Sequence, residues 1–227
     1  MRELARSESV GRYRLRESQL WIHLRHGSPD VFALDQAFYQ RLYEPPETVR
    51  RRLEGLGRPL KAVDLGGNIG TFGLHLLGRY RDAAVTSFEP DPKNAQLLAA
   101  TVDANAIASQ WRLVAACAAT ENGTARFAAG QFGVSRIDAD GELTVPAVDV
   151  FPYLRHADLI KIDIEGSEWP LLLDPRFSEL DAAAIHLEYH ERLAPDEDPA
   201  AFAARLLEGA GYSIESDREG ALWALRN

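Results

Sequence analysis

The 227-residue chain has one cysteine, Cys117, so no disulfide can form within it and the usual mark of an oxidising compartment is missing. No apolar run approaches the ~18 residues that cross a bilayer. The opening stretch MRELARSESVGRYRLRE has no apolar core that would serve as a secretory leader. These absences lead us to expect a cytoplasmic protein without a membrane span. Lysine is scarce: Lys61, Lys93 and Lys161 stand against 22 arginines, so each lysine carries more information than usual. Basic charge is in deficit overall. The net charge of −9 argues against a nucleic-acid surface spread over the chain. Internal repeats, low-complexity stretches and linkers are missing as well.

What is present is unevenly distributed. Residues 1–61 hold 12 basic and 8 acidic residues, a net of +4, and residues 62–227 hold 13 and 26, a net of −13. Up to residue 58 the pattern predicts an extension: a hairpin from VGRYRLRES and QLWIHLRHG, a helix near 30–43 with Asp30 as its N-cap, and a second helix over 47–55. From residue 59 onward strands and helices alternate. KAVDLG, AAVTSFEP, WRLVAAC, DLIKIDIEG and AAAIHLEYH read as strands apolar on both faces, with helices over 69–79, 91–105 and 199–209. That pattern predicts a doubly wound α/β domain with a mostly parallel sheet. An inserted hairpin near 123–147 interrupts it. GYSIES and GALWALR close it as an antiparallel pair.

The sharpest motif is Asp64-Leu65-Gly66-Gly67-Asn68-Ile69-Gly70, where the first core strand turns into a helix. Glycines there permit positive φ and close approach of a ligand, and the helix behind them offers free N–H groups. The G-x-G-x-x-G spacing of a dinucleotide site fails, since Asn68 and Thr71 fall on its later glycine positions. Acid-x-Gly-x-Gly-x-Gly does fit, with Asn68 at the middle glycine. The next strand ends in Glu89, a carboxylate placed to accept from ribose hydroxyls, and Asp91 is a weaker candidate beside it.

VDLGGNIG (63–70), SFEPDPKN (87–94) and LIKIDIEGSE (159–168), in this order, resemble the FkbM-type methyltransferases of class I. The likeness extends over VDVF (148–151) and LEYH (187–190), and Gly67 departs from the family's more frequent Ala. The resemblance implies a Rossmann-like fold and S-adenosylmethionine as methyl donor. It also implies varied acceptors, with hydroxyls of sugars, polyketides and lipids prominent. It assigns Asp64, Gly66, Gly67, Asn68 and Gly70 to the donor's amino-acid half and Glu89, with Asp91, to its adenosine half.

Strand alternation predicts that Lys161, Asp163 and Glu165 share one side, and His186, Glu188 and His190 another. A hydroxyl acceptor gains from a general base, typically ~10²–10⁴-fold. Asp163, Glu165, Glu188 and His190 are the candidates, and His190 has the most suitable ordinary pKa. Lys161, in an apolar strand, needs a carboxylate from Asp163, Asp149 or Glu188, and is either structural or in contact with the substrates. Asp163, Glu188 and His190 also suit a divalent metal, although none is assigned. The acceptor is expected to be a small or carrier-linked molecule, held under a lid made from residues 1–58. Tyr13, Trp21, Phe32, Phe38, Tyr39 and Tyr43 supply its aromatic material, which could equally form a homodimer contact. Phe127, Phe132 and Arg136 of the insertion are a second source of acceptor contacts. Arg50-Arg51-Arg52 would favour an anionic acceptor. N-methylation of an amino acid or peptide, a nicotinamide-dependent oxidoreductase and a donor-binding protein without catalysis are the competing readings.

Overall fold

A computed structural model of the chain describes residues 9–128, 136–137, 140–218 and 220–227. The two alternating stretches at the start form β1 (Val10–Arg14) and β2 (Trp21–Arg25), paired antiparallel with Val10 opposite Arg25. Only Ile22 and Leu24 of this hairpin are fully buried, one side of β2 as period-two alternation requires. The helix expected at 30–43 is shorter. α1 (Asp30–Leu34) runs into a wide π turn at Asp35–Tyr39 and stops. Asp30 is not its N-cap. Pro29 holds that place, and the Asp30 carboxylate instead takes the backbone N–H and the guanidinium of Arg25 at 2.7–3.0 Å. α2 (Glu47–Glu54) follows.

The core alternates as expected: β3 (Lys61–Leu65), α3 (Thr71–Arg79), β4 (Ala84–Phe88), α4 (Pro92–Ala104) and β5 (Trp111–Val114). Pro92 opens α4, and Asp91 caps it by accepting from the N–H groups of Lys93 and Asn94. The insertion is larger than a hairpin. β6 (Cys117–Ala119), β7 (Gly123–Ala128), β8 (Arg136–Ile137) and β9 (Leu143–Asp149) form their own sheet in the order β6-β9-β7-β8, with β6 and β9 parallel. The loop 130–135, with Phe132, lies outside the described residues, as does the side chain of Arg136. α5 (Phe151–Leu154), β10 (Leu159–Ile162), α6 (Glu168–Leu173), β11 (Ala184–Glu188), α7 (Pro199–Gly209), β12 (Tyr212–Arg218) and β13 (Ala221–Arg226) complete the chain.

The main sheet has the order β12-β13-β11-β10-β3-β4-β5. Its five central and edge strands β11, β10, β3, β4 and β5 are parallel, and β13 enters antiparallel to β11 and β12. One face packs on α5, α6 and α7. The other packs on α3 and α4 and on Ile22, Leu24, Ala37, Tyr43 and Val49, so residues 9–58 share a core with the sheet. The hairpin is also fastened to α4. The outward N–H groups of Trp21 and His23 donate to Asn105 and Thr101, and the Arg25 guanidinium donates to Asn94 at 2.7 Å. Thr101 of α4 and Asn105 at its C-cap thus satisfy main-chain groups of an edge strand that would otherwise be open, and Asn94 holds its last side chain. Among the described residues no helix is long and apolar enough to cross a membrane.

Candidate active site

The order of strands reverses between β3 and β10, and the loops after their carboxyl ends form a crevice of the kind that binds ligands in open α/β sheets. Gly66 sits at the tip of β3 with φ +87°. A Cβ added there would lie 1.8 Å from the Asp163 carbonyl oxygen, so only glycine allows the two tips to meet. Gly66 and Gly67 both donate their N–H to the Phe88 carbonyl, at 3.0 and 2.8 Å. Asn68 is left-handed (φ +47°), as its small polar side chain tolerates, and its N–H donates to Glu89 at 2.6 Å. The other Glu89 oxygen accepts from Asp91 N–H at 2.8 Å. Burial pushes the Glu89 carboxyl up to about 7 against these two donors.

Behind the loop a buried polar row crosses the sheet. Trp111 Nε1 donates to Ser87 Oγ (2.9 Å), which donates to Asp64 (2.8 Å). Asp64 faces Lys161 across the β3–β10 register, 3.2 Å from its Nζ. Lys161 donates to the Gly66 carbonyl at 2.6 Å and reaches Asp163 at 3.3 Å. Burial works against this ammonium, yet the Asp64 and Asp163 carboxylates hold its pKa well above the usual lysine value. Of the three partners expected for Lys161, Asp163 is present. Asp149 is spent on Arg176 (2.8 Å), and Glu188 acts only at longer range. The missing partner is Asp64, which sequence order could not place opposite Lys161 without the strand register.

β10 ends at Ile162, so alternation stops short of Glu165. A left-handed turn at Glu165 and Gly166 (φ +54° and +95°) follows. His190 also lies past the end of its strand, yet its Nε2 stands 3.4 Å from Glu165 and its Nδ1 3.1 Å from Glu168. Burial alone would lower the imidazole, but the carboxylates of Glu168, Asp163 and Glu165 outweigh it and raise it to about 9. These carboxylates favour the protonated ring, which weighs against the role of base that its ordinary pKa suggested. Glu188 moves the other way for a carboxyl group. The Asp163 charge, then burial, pushes it up to about 8. His186 is buried against Tyr43 and Trp223, with both nitrogens unpartnered, and burial pushes it down to about 3.

Two cavities meet here. A small one of about 80 Å³ lies between the main and inserted sheets, lined by Phe88, Glu89, Cys117, Phe127 and Ile137. A larger one of about 340 Å³ is lined by Arg25, Phe32, Gln36 and Tyr43 of the extension and by Lys161 and Glu188. Gly66, Asn68, Asn94, Asp163 and Glu165 border both, whereas Gly67 and Asp91 border the larger one only. Asp64 and Gly70 border neither; they lie beneath the loop.

The other aromatic residues of the extension serve elsewhere. Tyr13 bonds His26, Trp21 lies under Arg12, Phe38 packs near His75, and Tyr39 is exposed. Arg50 and Arg51 pair with Glu47, and Arg50 also with Glu54, on a helix that borders neither cavity. Burial pushes the Cys117 thiol up to about 12, which removes it as a nucleophile. Ser87, Glu168 and Arg25 are the residues that sequence reasoning missed.

Asp163, Glu165 and His190 bring one ligand atom each within 4.8 Å of one another; Glu188, expected in a metal trio, is not among them. At this trio an ion would compete with the His190 proton, which the carboxylates around the ring favour.

The model of the FkbM methyltransferase domain matches residues 64–214. Among solved structures, Pyrococcus horikoshii TYW2 in complex with MeSAdo is similar at 15% identity and a TM-score of 0.47, over 96% of this chain and 70% of that one. M. jannaschii TYW2 in complex with AdoMet is similar at 12% identity and a TM-score of 0.47, over 98% of this chain and 86% of that one. Precorrin-6y C5,15-methyltransferase from Geobacter metallireducens is similar at 14% and 0.49, over 79% and 86%. No curated protein matches the chain.

Proposed function

The chain belongs to the FkbM methyltransferase family and is an S-adenosylmethionine-dependent methyltransferase; from that premise we propose that it methylates a hydroxyl oxygen of a small or carrier-linked acceptor held in the larger cavity. The residues present fit the donor. Gly66, Gly67 and Asn68 leave open backbone beside the crevice for its amino-acid half. Glu89 still has a lone pair free on each oxygen for two ribose hydroxyls, since each oxygen carries one backbone N–H. Phe88, Phe127 and Ile137 give the small cavity apolar walls for a base. When bound, the donor supplies a methyl group already activated on a sulfonium.

The chain's own task is then to align the acceptor and remove its proton. Alignment of this kind is worth up to ~7–11 kcal/mol in favourable cases. The observation that carries the oxygen reading is the place of Glu188, partly buried on the wall of the larger cavity near the Asp163 charge, which together with burial pushes its carboxyl up to about 8. A carboxylate that basic is matched to taking a hydroxyl proton near neutral pH. Asp163 and Glu165 complete the acidic wall, Lys161 and Asp64 hold Gly66 and Asp163 in place, and Gly70 supports the loop from below. Residues 9–58 act as the cover of the acceptor side, through Arg25, Phe32, Gln36 and Tyr43. Methylation of an amine is the second reading, favoured by the same acidic wall.

Calorimetry with S-adenosylhomocysteine and NADH, followed by transfer of labelled methyl to a panel of sugars, hydroxylated aromatics, polyketides and amines, tests both levels. Binding of S-adenosylhomocysteine alone and an ether product are expected. A product methylated only on nitrogen would overturn the oxygen assignment. Donor binding with no transfer to any class would favour a donor-binding protein.

A further inference from the structure

Glu168 borders neither cavity and is fully buried, and the hydrogen bonds of its carboxyl group run to main chain and to one imidazole. Its two oxygens face two different loops. One accepts the Gly166 N–H at 2.8 Å, in the turn after β10. The other accepts both the backbone N–H of His190 at 2.7 Å and its ring Nδ1 at 3.1 Å, in the loop after β11. The next residue repeats the connection: Trp169 Nε1 donates to the His190 and Arg192 carbonyls at 3.1 and 3.3 Å. Both loops need such a hold. Glu165 is a non-glycine residue at positive φ, a conformation that persists only where its surroundings impose it. Gly166 approaches so closely that an added Cβ would lie 3.0 Å from the Arg192 carbonyl.

We propose that Glu168 is a positioning residue: it ties the turn after β10 to the loop after β11 and so sets where His190 stands and, through it, where Glu165 stands on the cavity wall. It works through His190. With Nδ1 bound to Glu168, the ring is fixed in one orientation and its Nε2 is delivered to Glu165 at 3.4 Å. Glu168 is thus the buried counterpart of the acidic wall that faces the acceptor. The inference deepens the methyltransferase reading and rests on it for its meaning, but the tie itself is measurable without an acceptor.

The test is NMR on the full-length chain saturated with S-adenosylhomocysteine, with His190 assigned by His190→Asn. In the wild type, a slowly exchanging Nδ1–H on His190 is expected, together with protected amides at Gly166 and His190, although both lie in loops. In Glu168→Gln one of the two connections must fail, because an amide nitrogen cannot accept. Roughly tenfold or more of that protection should be lost at one or other of these two amides, while protection in β3, β10 and β11 and the affinity for S-adenosylhomocysteine stay as in the wild type. Trp169→Phe should leave the His190 ring signature intact. Wild-type protection at both amides in Glu168→Gln, or a loss spread over the whole sheet, would overturn the proposal. Should Glu168→Gln not fold, a fast-exchanging His190 ring proton in the wild type would overturn it alone. Failure of S-adenosylhomocysteine to bind the wild type would instead strike at the donor assignment and leave the tie standing.

Discussion

The two cavities are built by different means. The smaller is framed on one side by main chain, the turn at Gly66 and Asn68 with its N–H groups committed to Phe88 and Glu89, and on the others by apolar side chains of separate strands, Phe88, Phe127 and Ile137. The larger shares Gly66 and Asn68 with it, but most of its wall is made by side chains from remote stretches, around Arg25–Tyr43, Asp91–Asn94, Lys161–Glu165 and Glu188. Its polar groups lean on one another rather than on backbone. Glu188 owes its raised pKa to Asp163, Glu165 is backed by His190 and through it by Glu168, and Lys161 is held by Asp64 and Asp163. A frame of backbone suits a ligand shared by many enzymes. A wall of mutually dependent side chains can change with the acceptor, and a single substitution there should disturb chemistry more than binding of the donor.

The largest expected effect separates the two on that ground. Glu188→Gln keeps the shape of the wall and removes the base. Turnover on an active hydroxyl acceptor should fall by ~10²–10⁴-fold, with the affinity for S-adenosylhomocysteine unchanged. In the wild type the rate should rise with pH through about 8, as Glu188 loses its proton, and the variant should lack that limb. Stability runs the opposite way. A carboxyl whose folded pKa is raised binds more protons folded than unfolded, so its contribution is full below the ordinary glutamate range and lost as pH rises through about 8. A Glu188→Gln enzyme with the wild-type rate and pH limb would remove Glu188 from the mechanism.

Next in size is the reverse case. Gly66→Ala places a methyl group against the Asp163 carbonyl and demands positive φ of a residue with a Cβ. Strain of ~1–3 kcal/mol would weaken S-adenosylhomocysteine binding by up to ~100-fold, read by calorimetry, with a lowered melting temperature. Binding at wild-type strength would show that the loop is not the frame of the donor cavity.

This contrast also explains what the sequence could reveal. The Gly66–Gly70 loop, Glu89 and the alternation of strands and helices are local patterns, so the parallel core and the antiparallel end were readable residue by residue. The Asp64–Lys161 pair was not, because a strand register decides it. Nor was the setting of His190 between Glu165 and Glu168, whose carboxylates raise a ring that its ordinary pKa made a candidate base. Only the fold brings Glu168, from the next helix, under the ring. The helix expected over 30–43 failed for a similar reason. Its π turn at Asp35–Tyr39 places Ala37 and Tyr43 in the sheet's core, a tertiary demand with no local signature.

The smallest expected effect concerns charge, where the two ends of the molecule look most unlike each other. The excess of positive charge in residues 1–61 suggested that Arg50-Arg51-Arg52 draws in an anionic acceptor. The folded chain weakens that idea. Arg50 and Arg51 are tied to Glu47 and Glu54 along α2, three and four residues away, and exposed pairs of this kind are screened by salt. The arginine that does border the larger cavity is Arg25, and its charge is matched by Asp30 at 2.7 Å. Replacing Arg50, Arg51 and Arg52 together with glutamine should therefore leave the acceptor KM and its dependence on ionic strength unchanged, at the expense of a small fall in melting temperature from the lost helix pairs. A KM that rises in the triple variant, and rises most at low salt, would restore long-range steering by α2 and place part of acceptor recognition outside the cavity.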